Sequence, residues 1–187
     1  MTTFAEVELK RWSDANGGAG VTGDVTADID AIFFETSATQ TFPGQPERDA
    51  FRERWLGRYL AHDAQWFYVA LSGGRAVGYL AGCVEDPALS PRFADIPYFG
   101  DLADLTRAYP AHLHVNLHQE YRNGGLGGRL IDRFADDARA AGAIGMHVVT
   151  GAQSRNRTFY AREGFVPLRE LPWGPQGIVF LGRTLAA

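Results

Sequence analysis

The chemistry of this chain centres on one stretch, Arg122-Asn123-Gly124-Gly125-Leu126-Gly127-Gly128, which joins an alternating segment to a helical one. A strand that feeds such a turn, with a helix starting at once, gathers backbone N–H groups lacking intrahelical partners where the helix dipole is positive. Glycines let a ligand approach the main chain, and an arginine beside them suits a pyrophosphate, so the turn reads as an anion cradle. The plainer reading is that Gly124, Gly125, Gly127 and Gly128 only permit a tight turn. Two nucleotide motifs fail on spacing. A P-loop needs Lys followed by Ser or Thr after its glycines, whereas Arg129 and Leu130 follow Gly128 here. A dinucleotide fingerprint needs a third glycine and an acidic residue ending the next strand; this chain has Leu130 and His147-Val148-Val149-Thr150.

Just upstream, His112 to His118 alternates strictly. Leu113, Val115 and Leu117 point one way, and His112, His114, Asn116 and His118 the other. An imidazole exchanges a proton near neutral pH, which makes His112 and His114 candidates for a base. They also fit half-exposed polar residues on a strand. The same histidines could hold a metal, but no carboxylate shares their face, and no metal is expected. Downstream, Tyr160 follows Gln153, Asn156 and Arg157 by seven, four and three residues, a polar face on a helix. Its phenol is a candidate proton donor, or else a core aromatic beside Phe159. Asp95 and Asp101 are further candidates for the base. Cys83 is the only cysteine, so an internal disulfide and a cysteine zinc cluster are both excluded.

The elements that would hold these groups can be read from periodicity. Phe4 to Trp12 reads as a strand and Ser13 to Gly23 as a loop. Asp24 or Asp28 can cap a helix carrying Ile29, Ile32 and Phe33. Pro46 sits in the first turn of a second helix, with Phe51, Trp55, Tyr59 and Leu60 at helical spacing. Trp66 to Leu71 and Ala76 to Val84 form a hairpin around Ser72-Gly73-Gly74. A proline-rich insert at 85–111, with a helical hint at 101–107, is expected to wall the substrate site. The helix after the glycine turn ends at Gly142. Ile144 to Thr150 is a strand, Ser154 to Glu163 a helix stopped by Gly164, and Phe165 to Leu168 and Gly177 to Leu185 are closing strands. Residues 1–187 read as one domain of mixed helix and strand, in the α+β or mixed α/β class.

The 187 residues are 45% hydrophobic and 21% charged, with a formal charge of −4. That balance argues against a nucleic-acid partner. No stretch nears the ~20 apolar residues of a membrane span, and Met1 to Lys10 lacks the pattern of a secretory signal, so a cytoplasmic protein is expected.

Arg122-x-x-Gly125-x-Gly127, followed by Phe159-Tyr160-Ala161-Arg162-Glu163-Gly164-Phe165, resembles the GNAT superfamily of acetyl-CoA-dependent N-acetyltransferases. The resemblance implies a GNAT-type α+β fold, a mixed central sheet of about six or seven strands flanked by helices. It implies acetyl-CoA as cosubstrate, with its pyrophosphate on Arg122, Asn123, Gly124, Gly125, Leu126, Gly127 and Gly128. Backbone N–H near Val115 would polarise the thioester carbonyl, the pantetheine amides would pair near Leu117, and Tyr160 would protonate the leaving thiolate. Gln153 stands where the family usually has asparagine, and Asn156 where it has a small residue; both would still contact the coenzyme. Arg155 and Arg157 are additional phosphate candidates. The family's early-strand glutamate would map to Ala111, which leaves His114 and His112 as the base, with a pH–rate step near roughly 6 to 7. The acceptor would be a small-molecule amine or a peptide lysine, acetylated directly, and Glu85, Asp86, Asp95, Asp101 and Asp104 hint at a cationic one. A weaker likeness links His112 to Gly128 with GNAT-like domains related to the C-terminal part of O-GlcNAc hydrolases. It keeps open a non-catalytic acyl-CoA-binding module. The sequence leaves the oligomeric state open.

Overall fold

The computed structural model describes residues 6–15 and 25–185. In chain order its elements are β1 (Glu8–Arg11), α1 (Trp12–Ala15), α2 (Val25–Thr36), α3 (Gln45–Arg52), α4 (Arg58–His62), β2 (Phe67–Ser72) and β3 (Arg75–Cys83). Next come α5 (Tyr98–Asp101), α6 (Ala103–Ala108), β4 (Ala111–Leu117), α7 (Leu126–Ala140), β5 (Gly145–Gly151), α8 (Asn156–Arg162), β6 (Val166–Leu171) and β7 (Ile178–Thr184). The class is α+β, and the seven strands make a mixed sheet flanked by helices, as expected. The chain packs as two compact units.

The first unit takes the described residues of Met1–Gly82 together with His114–Phe134. Its strands run β1-β2-β3-β4, and both β1–β2 and β2–β3 are antiparallel. Of the expected Phe4–Trp12 strand, Glu8–Arg11 is strand: Glu6 and Val7 precede it, and Trp12 turns inward and begins α1. Phe4, most of the expected Ser13–Gly23 loop and the candidate cap Asp24 lie outside the described residues. Asp28 sits inside α2 instead of capping it. Its buried carboxylate accepts hydrogen bonds from Arg75 and from the Ala76 N–H at 3.0 Å, tying α2 to the β2–β3 hairpin. Arg75 holds that carboxyl below the usual range against the opposing effect of burial. The second helix is interrupted: a π-helical turn, Glu53–Gly57, separates α3 from α4 while the backbone stays helical throughout. Such a turn adds one residue and rotates the helix beyond it. Gly78 lets β4 come close, since a Cβ there would meet Leu117 Cδ2 at 2.3 Å.

The second unit comprises Cys83–Leu113 and the described residues of Ala135–Ala187. Here β4 pairs in parallel with β5 over Ala111↔Met146 and His112↔His147, β5 pairs antiparallel with β7, and β7 with β6. The 85–111 insert is folded, with a 3-10 turn at Pro91–Phe93 and helices α5 and α6 where one short helix was expected. Phe93, Ile96, Phe99 and Leu102 from this insert are buried. Much of it is therefore core, because its apolar residues are spaced by short turns that bring them to one side.

Candidate functional site

In the first unit, the second half of β4 presents an edge to which a ligand can bind. His118 donates its N–H to Val77 O on β3 at 3.0 Å. Across the trans peptide, Leu117 C=O must point the opposite way, and by strand alternation so do the polar main-chain groups of Val115. Both residues lie past His112, where the ladder to β5 ends. From Leu117 the chain turns through Asn123 and Gly125, whose φ values are 64° and 80°, into α7. Leu126, Leu130, Ile131 and Phe134 are buried and anchor that helix. Its first ladder bond runs from Arg129 N to Gly125 O at 3.1 Å, so the amides of Leu126, Gly127 and Gly128 precede the ladder. A Cβ at Gly124 or Gly125 would meet nothing within 4 Å, so the outer face of the turn is open.

Arg122 folds back over this turn. Its Nε donates to Leu117 O at 3.0 Å, and Nη2 lies 3.5 Å from Glu35 Oε1. The guanidinium is thus held beside the turn, with Glu35 as its acidic partner. His118 stands 3.9 Å from both Glu35 and Glu120. Arg129 reaches toward Val7 O at 3.3 Å instead of the turn.

The other face of β4 is a polar network set in aromatic rings. Asn116 Nδ2 donates to Tyr79 OH at 2.7 Å, and Thr36 Oγ1 donates to Asn116 Oδ1 at 3.0 Å. Burial raises the Tyr79 phenol above its ordinary range, against the opposing pull of the Asn116 bond. His114 packs edge-on to Trp55, from the π turn, and to Tyr59, with ring centroids 5.6 and 5.5 Å away. Tyr59 OH is 3.3 Å from His114 Nε2. Burial, reinforced by the Arg58 charge, pushes His114 down from 6.5 to about 4. The pH step anticipated near roughly 6 to 7 for a histidine base therefore does not belong to His114. Trp55, Tyr59 and Glu35 were not singled out as site residues from sequence. Trp55 and Tyr59 show there only as a helical apolar stripe.

The second unit holds the remaining candidates. His112 is 3% exposed, with its ring centroid 4.8 Å from Phe93, 6.0 Å from Phe99 and 5.5 Å from His147. It is a core residue, not half-exposed, because the folded insert closes over it. Tyr160, 6% exposed, packs against Phe159 and Phe165. Helix α8 begins at Asn156, two residues later than the periodicity implies, so exposed Gln153 precedes the helix and does not share its face with Tyr160. Asn156 is exposed, and its N–H bonds Ser154 Oγ at 3.1 Å. Arg157 binds Ala152 O and Glu170, the latter at 3.0 Å. Two acids of the insert, Glu85 and Asp104, have arginine partners. Arg92 beside Glu85, and Arg169 forked onto Asp104, hold those carboxyls low.

The first-unit groups fit a coenzyme with amides and a pyrophosphate: two outward main-chain positions, then amides ahead of a helix ladder on an open glycine turn. Among the described residues, no cluster of three His, Cys, Asp or Glu side chains is placed to hold a metal ion. Nor is any described helix long and apolar enough to cross a membrane.

The family model for the acetyltransferase (GNAT) domain matches residues 63–167. Among solved structures, the chain is similar to SsHAT, at 20% identity and a TM-score of 0.68 over 97% of this chain and 99% of that one. A Desulfovibrio desulfuricans protein described as an acetyltransferase of the GNAT family is 18% identical, with a TM-score of 0.65 over 97% and 100% of the two chains. YncA from Salmonella typhimurium, solved with its cofactor acetyl-CoA, is 17% identical, with a TM-score of 0.58 over 98% and 96%. At such identities the structures speak for the fold alone, and that fold agrees with the expectation.

Proposed function

Because this chain belongs to the GNAT acetyltransferase family, and so is an acyltransferase, we propose that it moves an acetyl group from acetyl-CoA directly to a primary amine. The observation that carries the reading is the outward edge of β4 at Val115 and Leu117, continuous with the open turn Arg122–Gly128. In this reading the amides of Leu126, Gly127 and Gly128, with Arg122, hold the pyrophosphate. Asn123, Gly124 and Gly125 shape the turn, and Gln153 and Asn156 supply further polar contacts to the coenzyme. Leu117 pairs with the pantetheine amides.

When bound, acetyl-CoA supplies the acetyl group as a thioester. Val115 N–H donates to the carbonyl oxygen, where negative charge grows as the amine attacks. The C–N bond forms and the C–S bond breaks. The proton lost by the amine goes to His114 Nε2, which is neutral at neutral pH. As the nitrogen becomes bonded to carbon its proton turns acidic, so even a weakly basic imidazole can receive it. Tyr160 gives its phenolic proton to the departing sulfur. That role rests on the Phe159-Tyr160 to Gly164-Phe165 motif. Transfer needs no acyl-enzyme, and buried Cys83 plays no part in it.

The test is release of coenzyme A from acetyl-CoA with a panel of primary amines, wild type against Gly125→Val. At φ +80° a valine is strained and fills the open face of the turn. Amine-dependent release that Gly125→Val abolishes is expected. Tight acetyl-CoA binding with no release from any amine would make the chain an acyl-CoA-binding module instead.

A further inference from the structure

Arg122 lies across the edge it is proposed to serve. Leu117 C=O points away from β3, and Arg122 Nε donates to that oxygen at 3.0 Å, so the guanidinium sits on the outward side of β4. Its far end reaches the last turn of α2, where Nη2 is 3.5 Å from Glu35 Oε1. The Nε and Nη2 donors form one edge of the guanidinium fork, an edge that a phosphate can take in two parallel bonds. The donors assigned to the pyrophosphate are thus spent on Leu117 and Glu35, and the oxygen a pantetheine amide N–H would need is covered.

The hold is loose. The Arg122 and Glu35 side chains are 45% and 38% exposed, and the same carboxylate also faces His118 Nε2 at 3.9 Å. Arg169, by contrast, grips Asp104 through two bonds of 2.8 and 2.6 Å. The main chain beneath Arg122 is fixed: its N–H donates to Gln119 O at 3.3 Å, and Tyr121 N–H to His118 O at 3.0 Å. The side chain can therefore move while the turn stays in place. We propose that Arg122 is an exchangeable strap over the coenzyme edge and that Glu35 is the residue that positions it. On coenzyme binding Arg122 gives up Leu117 O and Glu35 for the pyrophosphate, and Leu117 O becomes an acceptor for a pantetheine N–H. The proposal rests on the acetyl-CoA reading above. Glu35 then opposes binding, by holding the strap and by setting a negative charge beside a diphosphate. A carboxylate that merely propped Arg122 toward the ligand would favour binding.

The sign is read by calorimetric titration of coenzyme A into the wild type and Glu35→Gln. The variant should bind about 2- to 5-fold tighter, the worth of a half-exposed ion pair. Equal or weaker binding overturns this inference and leaves the acetyl-CoA reading standing. NMR of the wild type reads the exchange without a substitution. Saturating inorganic pyrophosphate, which has no amide to offer, should shift the Arg122 Nε–H and also the Leu117 carbonyl carbon, because the strap leaves that oxygen. Turn amides of Leu126 to Gly128 that move while the Leu117 carbonyl does not would overturn the strap. No saturable coenzyme A binding to the wild type would defeat the acetyl-CoA reading and the strap with it, a failure told apart because nothing titrates.

Discussion

The two halves of β4 carry a histidine each, two positions apart, and they live in different chemistry. At the first, Ala111, His112 and Leu113 are no more than 3% exposed, their strand is laddered to β5, and aromatic rings of the 85–111 segment enclose the imidazole. At the second, His114 to Leu117 are all half-buried, the edge at Val115 and Leu117 faces away from β3, and His114 touches Trp55 and Tyr59. One strand is thus core at its start and half-open at its end, where the proposed coenzyme edge lies. Alternation tells which side a residue is on, and depth is set by what folds over that side.

The largest effect should come from the closed half. His112→Ala opens a cavity among Phe93, Phe99 and His147 and should cost about 3–5 kcal/mol of stability in denaturant unfolding, as for other large buried rings. The activity of the folded fraction should survive. If stability were untouched and turnover lost, the contrast between the halves would collapse.

His114 should show itself through pH. Its folded-state pKa of about 4 lies below its ordinary 6.5, so between those values the unfolded chain binds more protons. Stability from the neutral ring is fully present above about pH 6.5 and drains as pH falls toward 4, by about 3 kcal/mol in all. Urea titrations across that window should show the loss, and His114→Gln should flatten it. For the same reason, His114 should put no step in the kcat/KM profile between roughly pH 6 and 7. A step there that His114→Gln removes would place a charged imidazole in this half.

Tyr160 tests the comparison from the other side, as a buried residue of the second unit assigned a chemical role. Tyr160→Phe keeps the ring and its packing against Phe159 and Phe165. Turnover should fall roughly 10- to 1000-fold, about 2.7 kcal/mol at the centre of that range, with coenzyme affinity within a few-fold. Loss of affinity at unchanged turnover would make Tyr160 a binding residue.

Much of this was legible in the sequence, because it rests on local rules. The alternation of His112 to His118, the glycine turn and the helix after it depend on neighbours within a few residues, and they stand where periodicity puts them. What was not legible depends on residues far apart in the chain. Phe93 and Phe99 bury His112 from well upstream, Glu35 meets Arg122, and Asp28 meets Arg75, pairings that no local pattern encodes. The π turn at Glu53–Gly57 is a one-residue change of helical phase, invisible in an apolar stripe that Trp55 and Tyr59 continue on either winding. Gln153 seemed to share a face with Tyr160 only if α8 began early, and its true start at Asn156 is set by the turn around Ser154.

The central claim is that coenzyme binds the second half of β4 and the turn, and not the first half. Backbone amide NMR during an acetyl-CoA titration tests it residue by residue. The amides of Val115, Leu117 and Leu126 to Gly128 should move most, while those of Ala111 and His112 stay within the background of the core. Saturable binding that perturbs Ala111 and His112 and spares Val115, Leu117 and the turn would contradict it.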